Sequence, residues 1–508
     1  MRKILILLFF ATFIVVSAQN NTSYWQQHVN YTMDVDIDVK NYQYKGIQKV
    51  EYTNNSPNEL YKVFYHLFFN AFQPDSEMDA HLQNIPDPDF RMVNNLGTKQ
   101  NPKFESRIAK LKPNEIGFLN VISLKQNGII VKYSTKGTIL EVHLNESIKP
   151  GETTTFDLVF EGQIPVLIRR AGRNNEDGVA LSMAQWYPKI AEYDFEGWHA
   201  DSYIAREFYG VWGNFDVTLH IDKNYTVGGT GYLQNPQEIG HGYEDKSKKV
   251  VIKKDKKLSW HFIAPMVHDF SFAADSNFAH DIVKTEQGTE LHFLYKNIEK
   301  YRNAWKEVQA LTVKALNYYN KNIGEYPYRQ YSVIQAGDGG MEYAMSTFIL
   351  GGVTLNSIRG TIFHELAHSW FQHVLATNES KHSWLDEGFT TYISTLASNE
   401  IIRGEKKVNY SNDYYDYFYA VKYGLEEPLT THADRFNTNA GFSIGSYTKG
   451  SMFLSQLNYI IGEENTQEQE ANVPTFIGIN ATNSLNNIQP MTLMTYEEKM
   501  KLYLKQIR

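Results

Sequence analysis

The sequence predicts a multidomain α+β protein in which an antiparallel β saddle or sandwich comes first and a mixed domain with its site on two packed helices follows. Three observations lead there. The chain has 508 residues, well beyond the roughly 100 to 200 of an ordinary domain, so two or three separate cores are expected. Its texture changes near residue 290, from period-two alternation to helical spacing. Within the helical part, His364 and His368 are four apart and share one helix face, with Glu387 close behind in sequence.

Composition narrows the class. With 42% hydrophobic and 14% aromatic residues the chain is able to bury real cores, which excludes an all-disordered reading. Net charge is −8 and no long basic run occurs, so nothing asks for a nucleic-acid partner. There is no cysteine, hence no disulfide, and stability has to come from core packing and metal.

Residues 1–18 read as a signal peptide. Arg2 and Lys3 form a positive start, Ile4 to Val16 an apolar run, and Val16-Ser17-Ala18 a small-residue cleavage site. The alternative is a membrane anchor, but the run has 13 residues where a bilayer span needs roughly 20. Export to the periplasm or the medium is therefore expected, with no integral membrane association after cleavage.

Residues 19–285 form the expected β domain. Met33, Val35, Ile37 and Val39 alternate with polar residues, as in a strand with one wet face. Leu140, Val142 and Leu144 are expected to face Phe156, Leu158 and Phe160 in a hairpin across Pro150-Gly151. "NFDVTLHIDKNYTVGGTG" and "KLSWHFIAPMVHDFSFAA" continue in kind. The polar, proline-dotted stretch from Gln73 to Gly117 is expected to be a long loop or insertion.

Residues 286–465 form the second domain. Trp305, Val308, Leu311 and Ala315 stand at helical spacing in a segment that stops at Gly324, with Pro327 beyond. "QYSVIQAG" and "FILGGVTL" read as short strands. Ile358, Ile362, Leu366, Trp370 and Val374 then make the buried stripe of a helix, and a second helix beginning near Leu385 carries Glu387. Residues 466–508 form a tail of divergent or truncated character.

His364-Glu365-Leu366-Ala367-His368 fits H-E-x-x-H, in which two neutral imidazoles ligate zinc and the glutamate acts as base. Glu387, with 18 residues between it and His368, supplies a third ligand and leaves a fourth position for water, as in catalytic rather than structural zinc sites. One Zn²⁺ per chain is expected. His373 and His382 lack matching spacing and read as surface histidines.

"HELAH", the spacing to the glutamate of "WLDEGF", "IGEYPYRQYSVI", "GGMEY" and "SYTKGSMFL" together resemble the gluzincin metallopeptidases of the aminopeptidase N and leukotriene A hydrolase family. "YTNNSPNELYKVFYHLFFNAF" and "WYPKIAEYD" are similar to that family's saddle domain, so the resemblance covers roughly residues 30–465. It implies a thermolysin-like catalytic domain and an exported zinc aminopeptidase acting on peptides with a free N-terminus through a zinc-bound water. It further implies that Tyr447 of "YTKG" donates to the developing oxyanion and that Glu342 of "GGMEY" holds the substrate ammonium. Gly339, Gly340 and Met341 would lie along the substrate backbone. Two departures stand out: Tyr343 occupies a place where asparagine is usual, and nothing after about Asn465 resembles the helices expected there. Gln185 of "MAQWYP" is a weaker candidate for the ammonium, the other reading being a buried packing segment. The alternatives are an inactive or incomplete relative that binds peptides, or a gluzincin endopeptidase.

Overall fold

The computed structural model describes residues 25–251, 255–406 and 408–462. The expected signal peptide and tail lie outside the described residues. The first domain is built on β1 (His28–Asp38), β2 (Gln43–Thr53), β3 (Leu60–His66), α1 (Glu77–Asn84), β4 (Phe118–Gln126), β5 (Ile139–Ile148), β6 (Thr153–Gln163), β7 (Gly213–Asp222) and β8 (Lys257–Val267). The main sheet runs β8-β7-β1-β2-β6-β4, with two-residue strands at either edge. All of these pairs are antiparallel except β1 with β7, which run parallel. In β1 the alternation works as read: Val29, Tyr31, Met33, Val35 and Ile37 are buried while the aspartates between them face water.

The expected hairpin over 139–163 is not a hairpin. β5 pairs with β3, placing Leu140 opposite Tyr65 and Val142 opposite Val63. β6 instead pairs with β2 in the main sheet, where Phe156 lies opposite Val50. The Pro150-Gly151 loop therefore crosses between two layers, and the apolar faces meet by packing: the Tyr65 and Phe156 rings stand 6.2 Å apart, edge to face. Alternation specifies which face is dry and not which neighbour holds the hydrogen bonds. The stretch from Gln73 to Gly117 is also more regular than expected. Ser76 caps α1 by accepting from the Asp79 amide, and Val93–Asn95 pairs with Phe104–Ser106.

The second domain has a five-stranded sheet made of β9 (Phe278–Lys284), β10 (Glu290–Lys296), β11 (Gln330–Gln335), β12 (Met341–Tyr343) and β13 (Ser346–Ile349), in the order β9-β10-β11-β13-β12. The sheet thus begins a strand earlier than residue 286. Against it pack α2 (Glu299–Asn322) and α3 (Leu355–His368), with α4 (Ser383–Ser398) on α3 and α5 (Gly450–Gly462) on α4. Trp305, Tyr319, Ile362, Leu366 and Trp370 are fully buried in this core, as the helical stripe requires, and Val374 at its end is half-buried. β12 is antiparallel to β13 and forms one edge of the sheet. Among the described residues, no helix is long and apolar enough to cross a membrane.

Two glycines decide how the helices meet. A Cβ added at Gly388 on α4 would sit 2.8 Å from Cα of Gly450 at the start of α5, and the reverse holds as well. The helices touch backbone to backbone there. That contact brings the π-helical turn Ile444–Lys449, which carries Tyr447, against the first turn of α4.

Candidate active site

α3 and α4 bring the three sequence-predicted donors to one point. His364 Nε2 lies 3.0 Å from Glu387 Oε2, His368 Nε2 lies 3.1 Å from His364 Nε2 and 3.4 Å from Glu387 Oε2. Tetrahedral ligands at zinc–nitrogen distances stand about 3.3 Å from one another, so the set fits one zinc ion with little movement.

The outer nitrogen of His368 fixes its state. Nδ1 donates to Oδ1 of Asp386 over 2.5 Å, with the Thr390 hydroxyl 3.2 Å away. This places the proton on Nδ1 and leaves the Nε2 lone pair for a metal. Asp386 is wholly buried, and burial raises its carboxyl to about 6 against the pull of His368. Burial also works against charge on Glu387, but hydrogen bonds from His364 and His368 more than offset it and hold that carboxylate well below its usual range. Asp386 stands directly before Glu387 in "WLDEGF", but no spacing in the sequence marks it as a partner of His368.

Glu365 lies between the two histidines in sequence and faces β12. Its Oε2 has no hydrogen-bond partner among the described residues although the side chain is buried. A Cβ on Gly340 would fall 2.2 Å from Glu365 Oε1 and 2.5 Å from Cγ2 of Thr361, so glycine is what lets the strand edge pass this close to the carboxylate. Burial lifts Glu365 to about 7, with His364 and His368 pulling the other way. Tyr447 donates its hydroxyl to Glu387 Oε1, and its ring stacks on His364 at 5.7 Å. The "YTKG" tyrosine thus stands at the donor set.

Glu342 is buried on β12, and Oε1 lacks a partner. Its carboxylate is grouped in two ways: with His368 and Asp386, and with Glu207 and Glu379, the donor atoms within each group lying within 4.8 Å of one another. Burial raises Glu342 and Glu379 well above the carboxylate range, and neighbouring carboxylates add to it. Sequence reasoning missed both partners. Glu207 comes from the irregular segment that leads into β7 and Glu379 from the loop between α3 and α4, so neither sits in a periodic pattern. Arg170 of the first domain pairs with Glu207 at 3.2 Å and also donates to the Met341 thioether.

The loop that enters β12 is held by the first domain. Asp338 accepts from Arg169 Nη1 at 3.0 and 3.2 Å and from the Arg170 amide at 2.8 Å. Asn175 donates to the Gly337 carbonyl, and Ser182 accepts from the Gly337 amide, both at 2.9 Å. Gly339 is near enough to Arg91 that an added Cβ would lie 3.1 Å from Nη1.

Three other residues are placed by the structure. His373 is not at the surface: it is 3% exposed and packs at 4.7 Å between ring centroids against His268, because the turn after α3 is π-helical and rotates it inward. His382 is half-buried. Gln185 packs in the core 3.3 Å from Asp269, as the packing reading has it.

Comparison with known proteins agrees with this geometry. Residues 309–507 match the Peptidase family M1 domain. Leucine aminopeptidase 2 of Aspergillus fumigatus is 24% identical over 373 residues, covering 68% of this chain and 55% of the relative. Leucine aminopeptidase 2 of Aspergillus clavatus is 29% identical over 182 residues, covering 32% and 29%. The chain spans about half or less of the length of these curated relatives. Among solved structures, an M1 zinc metallopeptidase from Deinococcus radiodurans superposes with a TM-score of 0.56 at 13% identity, covering 96% of this chain and 91% of that one. A mutant of that enzyme bound to the substrate Tyr-Ser-Ala superposes at 0.53 and 13% identity, covering 87% and 84%. These likenesses share the fold.

Proposed function

We propose that this chain, an aminopeptidase N-like gluzincin by its family match and fold, removes single residues from the free N-termini of peptides. The observation that carries the reading is the carboxylate group Glu207–Glu342–Glu379, which adjoins the metal donors at the strand edge a peptide would pair with. A free α-ammonium is the group such a cluster takes. Holding it there leaves room for one residue between the ammonium and the scissile carbonyl, which sets the length removed. Relatives named as aminopeptidases and the tripeptide in the Deinococcus structure support a peptide substrate.

His364, His368 and Glu387 would hold zinc, which supplies Lewis-acid polarisation of the carbonyl and of the attacking water. The chain's own groups do the rest. The outer edge of β12 pairs with the substrate backbone as an added strand. Glu365 takes the proton from the attacking water and delivers it to the leaving amine. Tyr447 donates its hydroxyl to the oxygen on which charge develops. Glu342, aided by Glu207 and Glu379, keeps the substrate's first residue in register.

We also propose export, on the n-region, apolar run and cleavage site of residues 1–18; an N-terminal sequence beginning at Gln19 in the periplasm or medium of an expressing cell tests it. For the activity, the purified chain is given one peptide with a free and with an acetylated N-terminus, and products are followed by mass spectrometry. Stepwise loss of single residues from the free peptide only, abolished by a chelator and restored by zinc, is expected. Internal cleavage of both peptides at similar rates would replace this reading with an endopeptidase.

A further inference from the structure

Within the proline-dotted stretch from Gln73 to Gly117, the short segment Ile85-Pro86-Asp87-Pro88-Asp89-Phe90-Arg91 reaches both sides of the active site. It leaves the end of α1, where the Ile85 amide donates to the His81 carbonyl at 3.0 Å and Ile85 turns to extended backbone. Pro86 and Pro88 each fix a φ angle and disfavour the helical region for the residue before them, so the segment is a stiff connection. Asp87 crosses to the second domain. Its Oδ1 accepts from the Asn439 amide and its Oδ2 from the Ala440 amide, both at 2.8 Å, and its carbonyl accepts from Asn439 Nδ2 at 2.7 Å. Four residues on, Arg91 is held to Asp89 by Nε at 3.0 Å and Nη2 at 2.6 Å, while its Nη1 stands 3.6 Å from Asp338 in the loop that enters β12.

The helix that Asp87 grips is the one that carries Tyr447. It begins as the α-helical turn Asn439–Ser443, passes through the π-helical turn Ile444–Lys449 and continues as α5. Its far side is fixed on α4 by the Gly388–Gly450 contact and by Ser446 Oγ, 2.7 Å from Ser383 Oγ. Its first turn has little core of its own. Phe442 packs there with Ala433 and Phe436 in a small cluster apart from the two domain cores, and the Tyr447 ring stands edge-on to Phe442 at 6.5 Å. What holds that turn besides comes from the first domain: the Asp87 carboxylate, and the Arg206 guanidinium over the Phe442 ring at 4.6 Å. A carboxylate on the first amides of a helix satisfies donors that no helical carbonyl can reach.

We infer that Asp87 is a positioning residue for the reaction: by holding the first turn of this helix it sets the aim of Tyr447, and through Arg91 the same segment ties that aim to the strand edge bearing Gly340 and Glu342. The inference rests on Tyr447 as the oxyanion donor of the aminopeptidase reading. A π-turn departs from the regular helical ladder, so the direction of its side chains follows from how the pieces on either side are held. A donor to developing charge has to lie within about 0.5 Å of its productive place. Slack at Asn439 is therefore felt at Tyr447, 8 residues on.

The test is a double-mutant cycle on the full-length zinc-loaded protein with a leucyl coumarin amide, using Asp87→Ala, Tyr447→Phe and the pair. Asp87→Ala is expected to lower kcat about 10- to 100-fold with KM within about twofold of the parent. Where Tyr447 is already Phe, the same change is expected to cost less than about a further twofold, because the two residues act as one unit. Equal losses in both backgrounds, parental kcat in Asp87→Ala, or a raised KM at constant kcat overturns the inference and leaves the aminopeptidase standing. Asp87→Asn keeps one acceptor oxygen, is expected to lose less than Asp87→Ala, and carries the same cycle if the alanine variant does not fold. Hydrogen exchange followed by mass spectrometry reads the hold without turnover: amides of residues 439–449 should exchange faster in the variant than in the parent, while those of α3 keep the parental rate. If the parent turns over no aminoacyl amide, the aminopeptidase reading fails and exchange alone decides: acceleration confined to 439–449 upholds the hold on Tyr447, and unchanged exchange removes it.

Discussion

Nδ1 of His368 and Oδ1 of Asp386 are 2.5 Å apart, and both side chains are shut off from solvent. The contact does two things at once. It fixes the imidazole ring and its tautomer, and it raises the basicity of the nitrogen that faces the metal. Asp386→Ala is therefore expected to weaken zinc affinity about 10- to 100-fold, read by competition with a chromophoric chelator. Affinity unchanged from the parent protein would refute the assignment.

Removing the Glu365 carboxylate and displacing it should be separable. Glu365→Gln leaves every metal donor in place, so zinc stoichiometry should hold while kcat falls by about 10² to 10⁴. Gly340→Ala removes no functional group, yet its Cβ would meet Glu365 Oε1 at 2.2 Å. It should also lower kcat, together with a stability loss of about 1 to 3 kcal/mol from overpacking. Steady-state kinetics, metal analysis and thermal melts distinguish the two. A Gly340→Ala protein with parental kcat would mean that the strand edge yields easily.

Tyr447→Phe keeps the ring on His364 and deletes the hydroxyl that now meets Glu387. The expected loss is about 10² to 10³ in kcat with little change in KM. A raised KM at constant kcat would turn the residue into a binding group.

Far from the site, His280 Nε2 and His292 Nδ1 share a hydrogen bond of 3.0 Å that needs one of the two nitrogens unprotonated. Burial lowers His280 to about 4 and His292 to about 3, against 6.5 for the free side chain. Between those values the unfolded chain binds more protons than the folded one. Stability from this pair is therefore fully present above about pH 6.5 and drains away as pH falls, at up to about 1.4 kcal/mol per pH unit for each ring. The double variant His280→Asn/His292→Asn should show a flatter loss between about pH 6 and 4.5 in urea midpoints. Parallel curves for variant and parent would contradict the linkage.

Much of this molecule is readable in the chain because its signals are local. The alternation of β1, the stop of α2 near Gly324 and the H-E-x-x-H spacing each lie within one element, and each stands in the structure where the residues imply. Most of the failures are questions of which element meets which. The stretch 139–163 alternates equally well as a hairpin or as two strands in separate layers, and only pairing with β3 and β2 decides it. His373, read as a surface histidine for want of matching spacing, is turned inward by a local π-turn. Glu207 and Glu379 are 172 positions apart in numbering and come from segments without period, so their convergence on Glu342 exists only once both domains are folded.

The hold of Arg169 and Arg170 on Asp338 joins the fates of the two halves on heating. The segment presenting Gly340 and Glu342 keeps its shape through groups that belong to the other domain. Once the saddle melts, that segment loses its anchors even where the helices bearing His364 and Glu387 still stand. Where the saddle melts first, loss of the β12 edge should coincide with the saddle's calorimetric transition, while the metal leaves only at the transition of the helical half.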